Sequence, residues 1–386
     1  MRTLRRATRV LVVCTAIVAA GTGWMATEAG AASENVELST RTLLWNPDDR
    51  REVEAGKLRW AGGIEITSPN KEFGGWSGLA ISGDGTTLLA VSDEGRWFSA
   101  MPLYDERGRL SGLAEGRMAP MLGLEGEPLA GKALGDAESL VVDVGPAEPL
   151  AGNAYVGFER AHRIWRYDLA KDGFAARPEQ LLTQRHFGRL NPNGGIEALE
   201  LLPPSTPGGE PRILAITEDT LDPRGHIKAF VADGRRISRF AVKQRAPYKP
   251  TDAALLPSGD LLLLERRFSM LAGVGMQLRL IDGNDIEEGA IVDGEVLLDV
   301  GQRYSIDNME GLAVRADRNG DLLLYVISDD NFNPLQRTLL LMFRMPAAVS
   351  PVLAPAEGTL TLPRTPAEAG SSGEASASEG AAPAPN

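Results

Sequence analysis

The sequence is short of what builds a disulfide scaffold or a soft-metal site. Its 386 residues hold one cysteine, Cys14, and three histidines. That excludes a disulfide framework and any Cys-rich zinc site. Basic side chains are outnumbered, 40 Lys and Arg against 52 Asp and Glu, for a net charge of −12. A chain that grips phosphate backbones needs the opposite excess, so no nucleic-acid partner is expected. The apolar run at residues 10–20 is too short for a membrane span. With 43 Gly and 25 Pro, turns are frequent, and no stretch keeps helical periodicity over three turns.

The two ends read as segments outside the fold. Arg2, Arg5, Arg6 and Arg9 precede the apolar run, and Ala29-Gly30-Ala31 is an A-x-A cleavage pattern. Residues 1–31 are therefore expected to be an export signal, with an uncleaved anchor as the alternative, and the mature chain to be periplasmic or secreted with no stable membrane insertion. Ala7-Thr8 after Arg5-Arg6 favours Sec over Tat, and Val12-Val13 before Cys14 argues against a lipoprotein. Cleavage would remove four Arg, Glu28 and the only cysteine, leaving 36 basic and 51 acidic residues. Residues 32–56 read as an N-terminal extension, residues 57–350 as the folded domain, and residues 351–386 as a C-terminal extension. The last of these ends in an Ala, Ser, Gly, Glu and Pro tail that cannot bury enough surface to order itself.

A repeat runs through the middle. Trp76-Ser77-Gly78-Leu79, Ala137-Glu138-Ser139-Leu140, Ile196-Glu197-Ala198-Leu199, Thr251-Asp252-Ala253-Ala254-Leu255 and Met309-Glu310-Gly311-Leu312 share a small residue before Leu. Marks at 78, 139, 198, 253 and 311 lie 61, 59, 55 and 58 residues apart. Each is followed by a short apolar strand, a Gly-, Pro- or Asp-rich turn and a second strand ending on acid. Further strands follow, and four short strands per repeat is the pattern of a propeller blade. The expected fold is all-β, a β-propeller of five blades, with residues 57–67 supplying an outer strand to the last blade and closing the ring. Six blades is the alternative, if residues 36–45 and 352–362 build another.

Such a repeat gathers distant acids around one axis. The first-strand set is Ser77, Glu138, Glu197, Asp252 and Glu310, and the second-strand set is Asp93, Glu159, Glu218, Glu265 and Asp329 with Asp330. Crowded like charges call for cations, and hard oxygen donors without Cys or clustered His favour Ca2+, with Mg2+ as the alternative. Asp93, Glu138, Glu197, Asp252, Glu310, Asp329 and Asp330 are the candidate metal ligands. Basic residues flank them: Glu159, Arg160, His162, Glu265 and Arg266 are the catalytic candidates, and Arg96, Arg163, Lys249, Arg267 and Arg303 the candidates for binding an anionic ester. A ring of purely structural ion pairs is the competing account. Gly75-Trp76-Ser77-Gly78-Leu79 lacks the final Gly of a nucleophile elbow and precedes a strand, which argues against a Ser77–His162 couple.

These motifs together resemble the bacterial phytase-like propeller family described as having esterase-like activity. The carrying residues are Gly74-Gly75-Trp76-Ser77-Gly78-Leu79 with Val91-Ser92-Asp93, Asp136-Ala137-Glu138-Ser139-Leu140, Phe158-Glu159-Arg160 with Arg163, and Gly194-Gly195-Ile196-Glu197-Ala198-Leu199. They continue in Pro250-Thr251-Asp252-Ala253 with Leu264-Glu265-Arg266-Arg267-Phe268-Ser269, and in Asp307-Asn308-Met309-Glu310-Gly311-Leu312 with Ser328-Asp329-Asp330-Asn331-Phe332-Asn333. The resemblance covers residues 57–345 and implies an exported propeller. True β-propeller phytases are Ca2+-dependent and attack phosphate monoesters. Their Asp-Ala-Asp-Asp-Pro-Ala signature is absent, since Ser139-Leu140 follows Asp136-Ala137-Glu138. The function expected is a metal-dependent hydrolase of ester bonds, phosphate monoesters first. The alternatives are a non-catalytic binding propeller with structural Ca2+, and a carboxylic esterase.

Overall fold

The computed structural model describes residues 33–129, 131–143 and 151–346. The expected signal, Cys14, the 145–152 loop (but for its last two residues), the 352–362 segment and the C-terminal tail lie outside the described residues. Within them the chain is all-β, 55% strand against 6% helix, and helix is confined to single turns such as Lys132–Gly135. No described helix is long and apolar enough to cross a membrane.

The strands are β1 (Glu34–Asn35), β2 (Ser39–Thr42), β3 (Glu54–Ala55) and β4 (Leu58–Thr67), then four-stranded antiparallel groups. The first group is β5 (Trp76–Ile81), β6 (Leu88–Ser92), β7 (Arg96–Tyr104) and β8 (Leu110–Pro120). The second is β9 (Ala137–Asp143), β10 (Asn153–Phe158), β11 (Arg163–Asp168) and β12 (Pro178–Thr183). The third is β13 (Ile196–Leu202), β14 (Arg212–Leu221), β15 (Ile227–Asp233) and β16 (Arg236–Val242). The fourth is β17 (Lys249–Leu255), β18 (Leu261–Ser269) and β19 (Gly273–Ile281), followed by β20 (Ile291–Val292), which pairs with β16, and by β21 (Glu295–Gly301) on β19. The fifth is β22 (Met309–Ala316), β23 (Leu322–Ser328) and β24 (Thr338–Met345), with β4 paired antiparallel to β24 as its outer strand. A bridge from β4 to β8 joins the fifth and first groups into one eleven-stranded sheet, which curls nearly closed. Strands β1, β2 and β3 lie on β8 and β4 and build no sheet of their own.

Five apolar layers separate these groups. Val91, Trp97, Leu140 and Phe158 fill the space between the first and second groups, and Tyr155, Leu199, Ile213 and Phe230 that between the second and third. Ile216, Phe240, Leu261 and Leu263 lie between the third and fourth, and Leu264, Leu278, Leu324 and Phe343 between the fourth and fifth. Ile64, Trp76, Phe98 and Tyr325 join the fifth to the first. The first strands neighbour one another in the order β5, β9, β13, β17, β22 and back to β5. Here the small residue of the repeat has its use. A Cβ on Gly78 would sit 2.8 Å from the backbone nitrogen of Leu140, and one on Gly311 would sit 3.1 Å from that of Leu79. Adjacent first strands approach that closely only because no larger side chain intervenes.

Every first strand carries a bulge at the same place. The pairing register steps over Ser77 in β5, Glu138 in β9, Glu197 in β13, Thr251 in β17 and Glu310 in β22. A bulge leaves one residue unpaired and re-aims its side chain. This register corrects the sequence alignment in the fourth repeat by one residue. Thr251, not Asp252, stands with Glu138 and Glu197. On the second strands Glu265 pairs with Pro250 as Phe158 pairs with Ala137, so Arg266, not Glu265, stands with Glu159. The fourth repeat departs from the pattern: Asp252 stands where the others have a small residue and Ala253 where they have Leu, so an alignment on Leu255 shifts its acids out of place.

Candidate acidic metal centre

Two further columns of the repeat complete the site. Two residues before each bulge stand Gly75, Asp136, Gly195, Lys249 and Asn308. The backbone N–H groups of Asp93, Glu159, Glu218 and Asp329 each donate to the carbonyl of this column in its own group, at 2.9 Å in all four. The repeated bond fixes the ends of the first two strands together and brings three side-chain columns to one mouth.

In the second group the three columns are all acid. Carboxylate oxygens of Asp136, Glu138 and Glu159 lie within 4.8 Å of one another. Burial pushes Glu138 well above the usual carboxylate range, and Asp136, Asp93 and Glu159 add to the effect. Burial does the same to Glu197, reinforced by Glu138 and Glu159, and raises Asp329, with Asp93 beside it. Burial also raises Glu159, opposed by the Gly195 N–H that donates to its Oε1 at 2.9 Å. Among the described residues no basic side chain lies within salt-bridge reach of Glu138, Glu159 or Glu197.

The cations stand around the edge of this cluster. Arg160 Nε donates to Asp136 Oδ2 at 2.7 Å, and Lys132 bonds Asp93. Asp93 keeps a raised pKa because burial outweighs that lysine, and its Oδ1 is buried with no hydrogen-bond partner. Lys249 donates to Glu218 at 3.2 Å and Asp219 at 2.9 Å. Arg266 Nε lies 2.8 Å from Glu310, and its Nη2 donates to Glu218 at 3.3 Å. Glu310 raises the Arg266 pKa, while burial raises that of Glu310 despite Arg266. Asn308 Nδ2 donates to Glu310 Oε1 at 2.7 Å.

Several residues expected at the mouth face elsewhere. Both oxygens of Asp252 accept backbone N–H groups, Ala253 at 2.8 Å and Leu312 at 2.7 Å, locking β17 to β22. Glu265 forms a two-armed pair with Arg279, at 2.6 and 2.7 Å, fully buried. Asp330 accepts from Gly75 N, Phe332 N and Thr338 Oγ1, holding a turn. Arg267 donates to Tyr248 Oη, Arg303 pairs with Glu52, and Arg96 with Glu72. Arg163 is buried over the Phe158 and Trp165 rings and donates to the carbonyls of Ala161 and Leu134, with no carboxylate; burial brings it down to about 10. His162 meets the Asn191 carbonyl through Nε2 at 3.0 Å, while Nδ1 has no partner. Ser77 and His162 thus make no nucleophile couple. Asp136 and Lys132 are not among the sequence candidates: Asp136 lies two positions before the first-strand column and outside both acid columns that the repeat defines.

The donor set fits a hard divalent cation. It offers oxygens only, from buried Asp136 and Glu159 and half-buried Glu138; Asp136 alone of the three is held by a cation, and Asp93 adds an unpartnered oxygen nearby. A family model described as phytase-like, esterase-like activity of phytase, matches residues 71–332. The chain belongs to this phytase-like family. No curated protein matches the chain. Among solved structures it is similar to a protein of unknown function from Dyadobacter fermentans, at 10% identity over 81% of this chain and 95% of that one, TM-score 0.38. It is also similar to a glucose dehydrogenase, at 14% identity over 74% of this chain and 98% of that one, TM-score 0.34. Membership in the phytase-like family suggests a hydrolase, and its members are typically metal-dependent.

Proposed function

We propose that the protein is an exported, five-bladed β-propeller hydrolase of ester bonds, acting first on phosphate monoesters and using Ca2+, with Mg2+ as the alternative ion. The observation that carries this is the Asp136, Glu138, Glu159 cluster, acidic in all three columns of the second group. The cyclic order of the first strands and the five apolar layers support the propeller. Asp136, Glu138 and Glu159 would hold the ion, which when bound would acidify a water and offset charge on a phosphoryl group. Arg160 and Lys132 stand at the edge of the cluster, where they would orient the ester's oxygens at the cost of loosening their present carboxylates. Glu197, whose pKa burial raises with Glu138 and Glu159 adding to the effect, would hold a proton for the departing alcohol.

The test is hydrolysis of p-nitrophenyl phosphate and phytate by the purified mature protein, with and without EGTA. Turnover that EGTA abolishes is expected. No turnover on any phosphate or acyl ester sinks the proposal. One observation favours a second reading, a non-catalytic propeller with a structural ion: Arg160, Lys132, Lys249 and Arg266 are already paired with acids of the mouth. A carboxylic esterase has no such support.

A further inference from the structure

A cavity of about 910 Å3 opens beside the acids in the fifth group, and its chemistry differs from theirs. It touches the acidic mouth through Arg266 and Asn308, both of which line it and both of which hold Glu310. Its two guanidinium groups are already matched. Arg266 is taken up by Glu218 and Glu310, and Arg337 by Asp307 at 3.2 Å and the Ile306 carbonyl at 3.1 Å. A polyanion would find no uncompensated cation among the described lining residues.

The lining offers carboxamides instead. Gln302, Asn331 and Gln336 line the cavity together with Tyr304, as do Asn308 and Asn333, whose side chains also bond Glu310 and the Leu335 N–H. A carboxamide carries both donors and an acceptor, which matches a hydroxyl group that gives and takes one hydrogen bond. Tyr304 is a fixed aromatic surface: its ring stacks on Trp45 at 4.6 Å with 25° between planes, and its hydroxyl donates to Glu52 at 2.8 Å. An aromatic face with polar groups around it fits a ring with C–H on its faces and hydroxyls at its edge.

The lip of the cavity is strained. Asn331 and Phe332 both adopt left-handed backbone, φ 48° and 50°, a conformation that a bulky residue such as Phe rarely takes. Asp329 accepts the Asn331 N–H at 2.6 Å and Asp330 the Phe332 N–H at 3.1 Å, so the turn is held in place. Strain retained in this way clusters at binding sites.

We propose that this cavity is a subsite for an uncharged sugar ring, the alcohol portion of the ester whose other end meets the acids. The attachment to a reacting ester rests on the hydrolase reading; the sugar subsite itself does not. Methyl glycosides of glucose, galactose, mannose and N-acetylglucosamine, titrated into the full mature protein and followed by NMR, test it directly. At least one is expected to bind in the millimolar range, undisturbed by inorganic phosphate. Tyr304→Ala and, separately, Gln336→Ala are expected to weaken it about five- to tenfold, the loss of one or two neutral contacts, while Tyr304→Phe retains most of the binding. Silence across all four glycosides overturns the proposal, and so does unchanged affinity in Tyr304→Ala and Gln336→Ala, or displacement by phosphate. A glycoside that binds to a protein with no turnover on any phosphate or acyl ester leaves the subsite standing and removes the hydrolase. Phosphatase activity with no glycoside bound does the reverse.

Discussion

The second and fourth groups place side chains in the same three columns and fill two of them with opposite charge. Where the second has Asp136, Glu138 and Glu159, the fourth has Lys249, Thr251 and Arg266. The backbone is the same: a bulge at the first strand and a paired second-strand end. The difference is in what each charge has for company. Lys249 and Arg266 reach across to Glu218, Asp219 and Glu310, while Glu138 and Glu159 have no cation of their own among the described residues. The fourth group also carries an acid that the repeat pattern assigns to the mouth. Glu265 points the other way and is matched by Arg279, beside Asp293, Lys243 and Arg245. A buried carboxylate with its guanidinium built in is structure. One left without a cation takes up a proton or an ion from outside, and that is the physical distinction between Glu138 and Glu159 on one side and Glu265 on the other.

The largest expected effect lies on the structural side. Arg279→Ala would leave Glu265 buried and uncompensated and should cost about 3–5 kcal/mol in denaturant unfolding, with Ca2+ response unchanged. A change in Ca2+ response would break the contrast. On the other side, Ca2+ should raise the stability of the wild type by about 2.7 kcal/mol at a hundredfold excess over its dissociation constant. Glu138→Gln should lose that gain, and in EGTA it should be no less stable than the wild type because it removes one of several repelling charges. Equal Ca2+ stabilisation of Glu138→Gln and wild type would show that the second group holds no ion. Third in size is Arg266→Ala. It frees Glu218 and Glu310 from their cation and should cost about 2 kcal/mol, less than a fully buried pair because Arg266 is partly exposed. Calcium should restore part of it, if the freed acids join the cation-hungry side of the mouth.

Much of this was legible in the sequence, and the limits have a physical origin. The repeat marked the first strands because small residues are required where strands approach, as at Gly78 and Gly311. The acids of the second strands stood out because each follows an apolar run. Which way a side chain faces was not legible, because strand periodicity is two and a slip of one residue turns it over. Asp252 and Glu265 were misplaced for that reason, and Arg266 was given a role at the mouth while aligned in the wrong column. Asp136 belongs to the second repeat's motif but to neither acid column; its column is that of Lys249 and Asn308, both of which bond acids of the mouth. The cavity around Tyr304 joins residues from three separate stretches, and no local pattern announces it.

The smallest effect isolates burial from crowding. Glu200 on β13 takes hydrogen bonds from the Leu201 and Leu255 N–H groups and has no basic partner among the described residues, and burial pushes it up to about 7. It lies outside the acidic cluster, with Asp252 as its charged neighbour. Its folded pKa stands above the unfolded value near 4.5, so the folded protein binds the extra proton between those limits. Its contribution is fully present below about 4.5 and is lost as pH rises toward 7. Glu200→Gln keeps a neutral side chain at every pH. In EGTA it should match the wild type at pH 4 and exceed it at pH 8, by on the order of 1 kcal/mol once water reaching the side chain is allowed for. Glu138→Gln compared across the same two pH values should show a larger gap, because the neighbouring Asp136, Asp93 and Glu159 add repulsion to burial. If the two gaps are equal, crowding contributes nothing, and the second group differs from an ordinary buried acid only by its position.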